Sequence, residues 1–335
     1  MASSARRAVA VLTSLSLLVG CATPLTREGR IGVDDGTDSC RQQLVALDST
    51  GDFFAEDILK GAAIGALGGA AAGGLIGRDW RGALIGAAAG GAVGAAGGYL
   101  YAMQQRNKDQ ASLRMAVASD LERENAQLDR SQLAFDQLMD CRFRQAEQIR
   151  NAVRNGSMSR EAGLAQMAQL RERTQREIAF AQSISQNINK RGAEFDTAVE
   201  SFEPGVARTA QAQVAATREA PLRPVQTRRE APIRLRPDPA SPEIGSVPAR
   251  QSVKAKPARN NFVLVETDTG QRGYVPSEAF ANTRSLGEAP RPVPAASNGD
   301  ARSLAASNVA RRDNFAESVS QAQTAAASGF ELAAG

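Results

Sequence analysis

Apolar positions recur along this chain with three different periods, and each period predicts a different element. Between residues 104 and 202, Leu121, Leu128, Phe135 and Ile149 share one seven-residue series, with Val117 and Leu138 on its companion. After a break, Met167, Ile188, Phe195 and Phe202 continue one series, and Leu164, Ile178 and Val199 the other. Asn155-Gly156 is a helix stop, and Ser159 with Glu161 following is a helix start. Two long helices joined by a short turn should fold back as an antiparallel coiled-coil hairpin. Ser131, Arg142, Gln145, Arg171 and Ser185 interrupt the seam, which predicts a stalk or docking surface rather than a tight zipper. One continuous helix, or one that forms only on a partner, is the alternative.

The second period is four. Gly61, Gly65, Gly69, Gly73 and Gly77 fall on it, and after Arg78-Asp79-Trp80-Arg81 it resumes at Gly82, Gly86, Gly90, Gly94 and Gly98. Residues four apart share a helix face, so each half presents a smooth stripe on which two backbones approach closely. Each helical Gly costs about 1 kcal/mol against Ala, roughly 10 kcal/mol here. Close packing, or a lipid that forbids unsatisfied backbone groups, must offset that. A fold at Trp80 would bring Phe53 and Phe54 to the level of Tyr99 and Tyr101, giving the two aromatic girdles of an interfacially anchored hairpin. The alternative is a soluble Gly/Ala linker. The phased repeat resembles the glycine-zipper two-transmembrane lipoproteins, a group that includes the rickettsial surface-antigen family, over residues 57–103. That resemblance implies a bilayer as partner and a homo-oligomer packed through the zipper.

The third period is two, and it is confined to residues 231–282. Ile233 and Leu235 alternate with arginines; Phe262 to Val265 and Tyr274-Val275 are the other strong strands, with turns at Thr269-Gly270 and Arg272-Gly273. The order of elements resembles a bacterial SH3-like barrel. Leu235-Arg236-Pro237-Asp238-Pro239 matches its VRxxP start, Ile244-Gly245-Ser246-Val247 its IGxL strand, Asn261 to Val265 its WxxV strand and Gly273-Tyr274-Val275 its GWV close. Phe262 and Tyr274 stand where the family has tryptophan, and the Gly before the middle strand is missing around Ala249 to Gln251. The resemblance implies binding to peptidoglycan or to an envelope protein.

The rest of the chain is punctuation around these elements. Residues 1–20 read as a secretion signal, Arg6-Arg7 followed by the short apolar run Ala8 to Val19. Leu18-Val19-Gly20-Cys21 resembles a bacterial lipobox, which implies cleavage before Cys21 and acylation, palmitate included, of its sulfur and new amino group. An ordinary signal with a coincidental Cys is the alternative. Ala22, in place of Asp, implies onward sorting to the outer membrane, with most of the chain in the periplasm. Residues 21–56 are polar, with a short helix expected from Asp38 to Ala46 and a turn at Asp48-Ser49-Thr50-Gly51. Asp34, Asp35 and Asp38 lack the spacing of a calcium loop. Residues 203–230 read as an extended basic linker, and residues 283–335 as a mostly disordered tail with a weak helix from Asn308 to Ala326.

Charge and composition narrow the chemistry. The net charge of +4 hides an asymmetry: residues 203–259 hold 11 basic and 5 acidic residues, a net +6, so the remainder sums to −2. Cell-wall carboxylates and lipid headgroups are the anions outside the cytoplasm, and no nucleic-acid partner is expected. His is absent, which removes Ser-His-Asp and Cys-His catalysis and the commonest zinc ligand. No catalytic residue, metal or cofactor is expected. With Cys21 acylated, Cys40 and Cys141 remain as an even pair in an oxidising compartment and are expected to pair, within one chain or between two. The fold class expected is mainly α: a glycine-zipper hairpin, an antiparallel coiled-coil hairpin and a small SH3-like β-barrel, separated by disordered linkers. The function expected is non-enzymatic anchoring and scaffolding between outer membrane and cell wall or envelope protein. The alternative is an oligomeric glycine-zipper component of a pore or secretion assembly.

Overall fold

The structure, a computed structural model, describes residues 26–55, 98–100, 102–104, 107, 109–287, 293, 294, 296 and 298–332. The signal, Cys21 and the glycines from Gly61 to Gly94 lie outside the described residues; of the stripe only Gly98 is described, buried in a helical turn.

Helix α1 (Arg27–Ile31) is capped by Thr26, whose hydroxyl accepts from the Gly29 amide. Helix α2 (residues 41–55) starts behind Asp38, whose carboxylate accepts from the Cys40 amide at 3.0 Å. It runs past the expected end at Ala46, because Asp48-Ser49-Thr50-Gly51 is helical rather than a turn. Ser49 and Thr50 donate their hydroxyls back to the carbonyls of Ala46 and Leu47, both at 2.8 Å. Gly51 serves close approach: a Cβ there would sit 3.0 Å from Ile184 Cδ1.

Helices α3 (Gln110–Arg154) and α4 (Arg160–Glu200) are antiparallel, and the Asn155–Ser159 turn joins them where the sequence breaks. Gly156 takes φ +77°, and Ser159 caps α4 by accepting from the Ala162 amide. Most expected seam residues are buried, Val117, Leu121, Leu138, Ile188 and Val199 completely; Leu164 is half exposed.

The two helices do not form an isolated pair. Helix α6 (Ala301–Ser328) lies along both of them, in the segment expected to be mostly disordered. Its leading apolar residues are few, but Leu304 and Phe315 are fully buried, and the Phe315 ring centre lies 5.8 Å from that of Phe135. Ala305, Ala322, Ala325 and Ala326 are also buried, so small side chains let the helix sit close. Beyond its end, Phe330 stacks on Phe143 at 4.9 Å.

The expected linker is structured as well. It holds α5 (Val206–Arg218) and strand β1 (Arg223–Gln226). Strands β2 (Ala231–Arg234), β3 (Glu243–Val247), β4 (Ser252–Pro257), β5 (Phe262–Glu266) and β6 (Arg272–Pro276) complete an antiparallel six-stranded sheet of order β1-β4-β5-β6-β2-β3. The sheet is open, with β1 and β3 at its edges, so the expected closed barrel is not formed by the described strands. Gly270 makes the β5–β6 turn with φ +80°, as expected. Gly273 does not turn; it pairs with Val265 inside the sheet, where an added Cβ would meet the Arg234 carbonyl at 2.8 Å. Arg236 joins sheet to helices through Asp136 and Asp140 of α3, and Arg150 donates to the Glu243 carbonyl.

Candidate functional site

Helix α2 is held at both ends, and the two attachments define the site. At its start, Cys40 and Cys141 form a disulfide within the chain, with Cα atoms 5.9 Å apart and a sequence separation of 101. A long stalk would have kept these residues apart. Here α2 folds back along α4, which brings Cys40 to the middle of α3. Beside the bond lies Arg142, a fully buried guanidinium. It reaches Asp38 at 2.6 and 2.8 Å and Glu177 at 2.8 Å through Nε, with a second contact to Glu177 through Nη2. Arg173 adds a fourth charge, 3.5 Å from Asp38.

Burial alone would push the Arg142 pKa down, but the hydrogen bonds it donates to Asp38 and Glu177 outweigh it and leave it raised. The two carboxylates respond differently. Burial opposes the charge on Asp38, yet Arg142 outweighs it and holds the carboxyl below its ordinary range. Glu177 is more deeply enclosed, and burial wins there, pushing its carboxyl up. Both shifts follow from depth around one cation.

At the far end of α2, Phe54 is fully buried and Phe53 lies under a cation: the Arg191 guanidinium carbon stands 4.9 Å from its ring centre. The same guanidinium is 5.6 Å from the Phe195 ring, and Phe195 in turn is 4.8 Å from Tyr99. Arg191 also donates to Glu124 at 2.6 Å, and Tyr99 donates its hydroxyl to Asp120 at 2.6 Å. Burial, then the bond to Asp120, raises the Tyr99 pKa. Phe53, Phe54 and Tyr99 therefore pack in the helical body, not in an aromatic girdle; Tyr101 is outside the described residues. Phe53 and Tyr99 are nevertheless linked by three contacts, none longer than 5.6 Å.

The amino-terminal end is tied to α2 by charge. Arg30 of α1 pairs with Asp48 at 2.7 Å and Asp52 at 2.8 Å, while Arg41 donates to the carbonyls of Ile31 and Gly32. Arg27 also reaches Asp48, at 3.2 Å, so α1 packs against the middle of α2. Cys21 lies five residues before Thr26. Two chain positions, residues 55 and 98, thus lie close to Arg191 and Phe195, next to Phe53 and Tyr99.

Of the residues singled out in the sequence, the structure brings Cys40 and Cys141 together and leaves Cys21 and the stripe before Gly98 outside the described residues. Asp38, Arg142, Glu177 and Arg191 were not read as site residues, although Arg142 stood out as a break in the apolar seam. Among the described residues no helix is long and apolar enough to cross a membrane, and no group of His, Cys, Asp or Glu is placed to hold a metal ion.

The YMGG-like Gly-zipper family model matches residues 43–102. The matched stretch supports a glycine-zipper family for that part of the chain. It begins within α2 and ends in the helical turn that carries Tyr99, so it spans both attachments at Arg191. No curated protein matches the chain. No solved structure matches it either.

Proposed function

We propose that this chain is a non-enzymatic cell-envelope lipoprotein, acylated at Cys21 and inserted in the outer membrane by a glycine-zipper hairpin within residues 57–97. The expected span to 103 is shortened because Tyr99 and Met103 pack in the helical body. The helical body and the sheet, read as an SH3-like module, stand in the periplasm and scaffold the membrane to the cell wall or to an envelope protein. A multimer packed through the zipper belongs to this reading.

The observation that supports it is the convergence at Arg191. A segment that leaves and re-enters a folded body at one place can act as a separate inserted arm, because its removal asks nothing of the body. Two attachments also suit the energetics, since a single acyl chain gives only marginal, reversible binding.

The test replaces residues 58–95 with a linker of about eight glycine and serine residues, which spans at most about 28 Å. The shortened protein should keep the Cys40–Cys141 bond and an unchanged unfolding midpoint. It should stay on membranes while Cys21 is present and become extractable by salt or carbonate once Cys21→Ala is added. Retention of the doubly altered protein on membranes would overturn the anchoring scheme. Collapse of the body on replacement would show that the segment belongs to the core.

A further inference from the structure

A second feature lies where the sheet meets the helices. Between the sheet, the end of α5 and the middle of α6 is a pocket of about 380 Å³. Its floor is one row across three strands. The pairing puts Lys256 of β4 opposite Leu264 of β5, and Leu264 opposite Tyr274 of β6, so the three side chains share a face. Ala310 lines the wall from α6, and Pro237, Pro257 and Pro294 line the mouth.

The polar groups of the pocket are unevenly satisfied. Its two carboxylates are already neutralised: Asp313 by Arg218, and Glu317 by Arg218 at 3.5 Å and Arg272 at 3.7 Å. Arg311 is paired with Asp129 at 2.7 Å. Two cations are left without a carboxylate within 4 Å among the described residues. Lys256 is nearly buried and donates only to the carbonyls of Thr217 and Arg218, at 3.3 and 2.7 Å. Arg259 is exposed at the rim. The Tyr274 hydroxyl, on the same face, has no hydrogen-bond partner among the described residues. Burial pushes its pKa up to about 12, so at neutral pH it is a donor. Burial also lowers the Lys256 pKa, against the opposing attraction of Glu317.

The geometry points to this pocket as a binding site for the free carboxylate end of a peptide. The carboxylate would lie between Lys256 and Arg259 and accept from Tyr274, while the preceding side chain would rest on Leu264, Ala310 and the prolines. A carboxylate fits because the lining carries four cations against two acids, a net +2. A peptide fits because the volume takes two or three residues. The amides of Gln213 and Asn314, both exposed at the pocket, are available to a peptide backbone. The inference deepens the reading of the sheet as the partner-binding module and rests on it, but not on the membrane anchor.

The test uses the full chain in detergent and a library of N-acetylated tripeptides, offered as free acids and as matched C-terminal amides. Retained peptides are read by mass spectrometry and the best is titrated. Free acids should be enriched over their amides. Arg259→Ala, at an exposed position, and Tyr274→Phe, which keeps the ring, should each weaken the titrated peptide about tenfold. Lys256→Met should weaken it further, and the exposed Arg259→Ala keeps the test valid if that variant misfolds. Equal enrichment of acids and amides, no enrichment of either, or affinity unchanged in Arg259→Ala and Tyr274→Phe would overturn the assignment. Crosslinking to sacculi or envelope proteins in cells separates the two readings. Crosslinks that persist unchanged in the variants would leave the scaffold reading standing without this pocket. Their absence in the unaltered protein would remove both.

Discussion

The helical body and the sheet differ in what lies deepest: charged side chains are almost wholly enclosed in the first, while in the second Lys256 is the one buried charge among the described residues. Inside the sheet, Ile233, Val247, Ala255, Val265 and Val275 are all fully buried and all apolar. Inside the helical body, Arg142, Glu124, Asn125, Glu177 and Arg312 are buried alongside the apolar seam. The partners of those polar groups lie far away in sequence. Arg142 meets Asp38 across 104 residues, Arg312 meets Asp196 across 116, and Asn308 meets Asn125 across 183. Apolar contacts tolerate sliding, whereas a buried charge that loses its partner is expensive. The sheet takes its register from strand pairing and alternation, and the helices take theirs from charge pairs between distant segments.

The covalent link should give the largest effect that breaks this contrast. Replacing Cys40 and Cys141 with serine opens a loop of about one hundred residues, for which chain entropy predicts a loss of about 4–5 kcal/mol. Denaturant unfolding of the oxidised protein and the double variant would measure it. Because α1 and α2 carry few other covalent or sheet restraints, their amides should lose hydrogen-exchange protection before those of the sheet. Uniform loss across both regions would show that the two are one cooperative unit.

That unequal dependence also explains what could be read from the sequence. The strand cores at Phe262 to Val265 and Tyr274-Val275, and the helix break at Asn155-Gly156, rest on local chemistry and were legible. Helix α6 was legible only as a weak stretch from Asn308 to Ala326, and its packing not at all, because Ala and Ser dominate it and only Leu304, Val309, Phe315 and Val319 register as apolar anchors. Its start is nonetheless written in Asn298-Gly299-Asp300, with Ser303 three residues on. In the candidate site, the Cys40–Cys141 pair was a clear expectation with its geometry left open. Arg142, adjacent to Cys141, looked like a defect in the seam because its partners Asp38 and Glu177 are visible only once α2 folds back.

A smaller effect sharpens the comparison. Arg142→Leu leaves Glu177 buried beside an apolar side chain, at a cost of about 3–5 kcal/mol. Adding Glu177→Leu should recover a large part of that loss, since the stranded charge is gone. In the sheet, Ile233→Val should cost only about 1 kcal/mol, with no second-site partner able to restore it. Unfolding midpoints of the single and double variants would measure these values. No recovery in the helical double variant would mean that Arg142 acts through packing volume rather than through its charge.

The smallest effect concerns the start of α6, where Asp300 accepts from the Ser303 amide at 2.8 Å and the Ser303 hydroxyl donates back to the Asp300 carbonyl at 3.0 Å. The Ser303 amide holds the Asp300 carboxyl below its ordinary range. A carboxyl with a lowered folded pKa adds stability that is fully present above its unfolded value, about 3.9. That contribution is lost as pH falls through the lowered value. Asp300→Ala should therefore cost about 1 kcal/mol at neutral pH, whereas Asp300→Asn, also a good cap, should cost only a few tenths. In strong acid the unaltered protein should approach the Asn variant while the Ala variant stays behind. Hydrogen exchange at Leu304 and Ala305 reads the first turn of α6 directly. If protection there is the same for Ala and Asn at neutral pH, the cap contributes nothing, and α6 is held only by its contacts with α3 and α4.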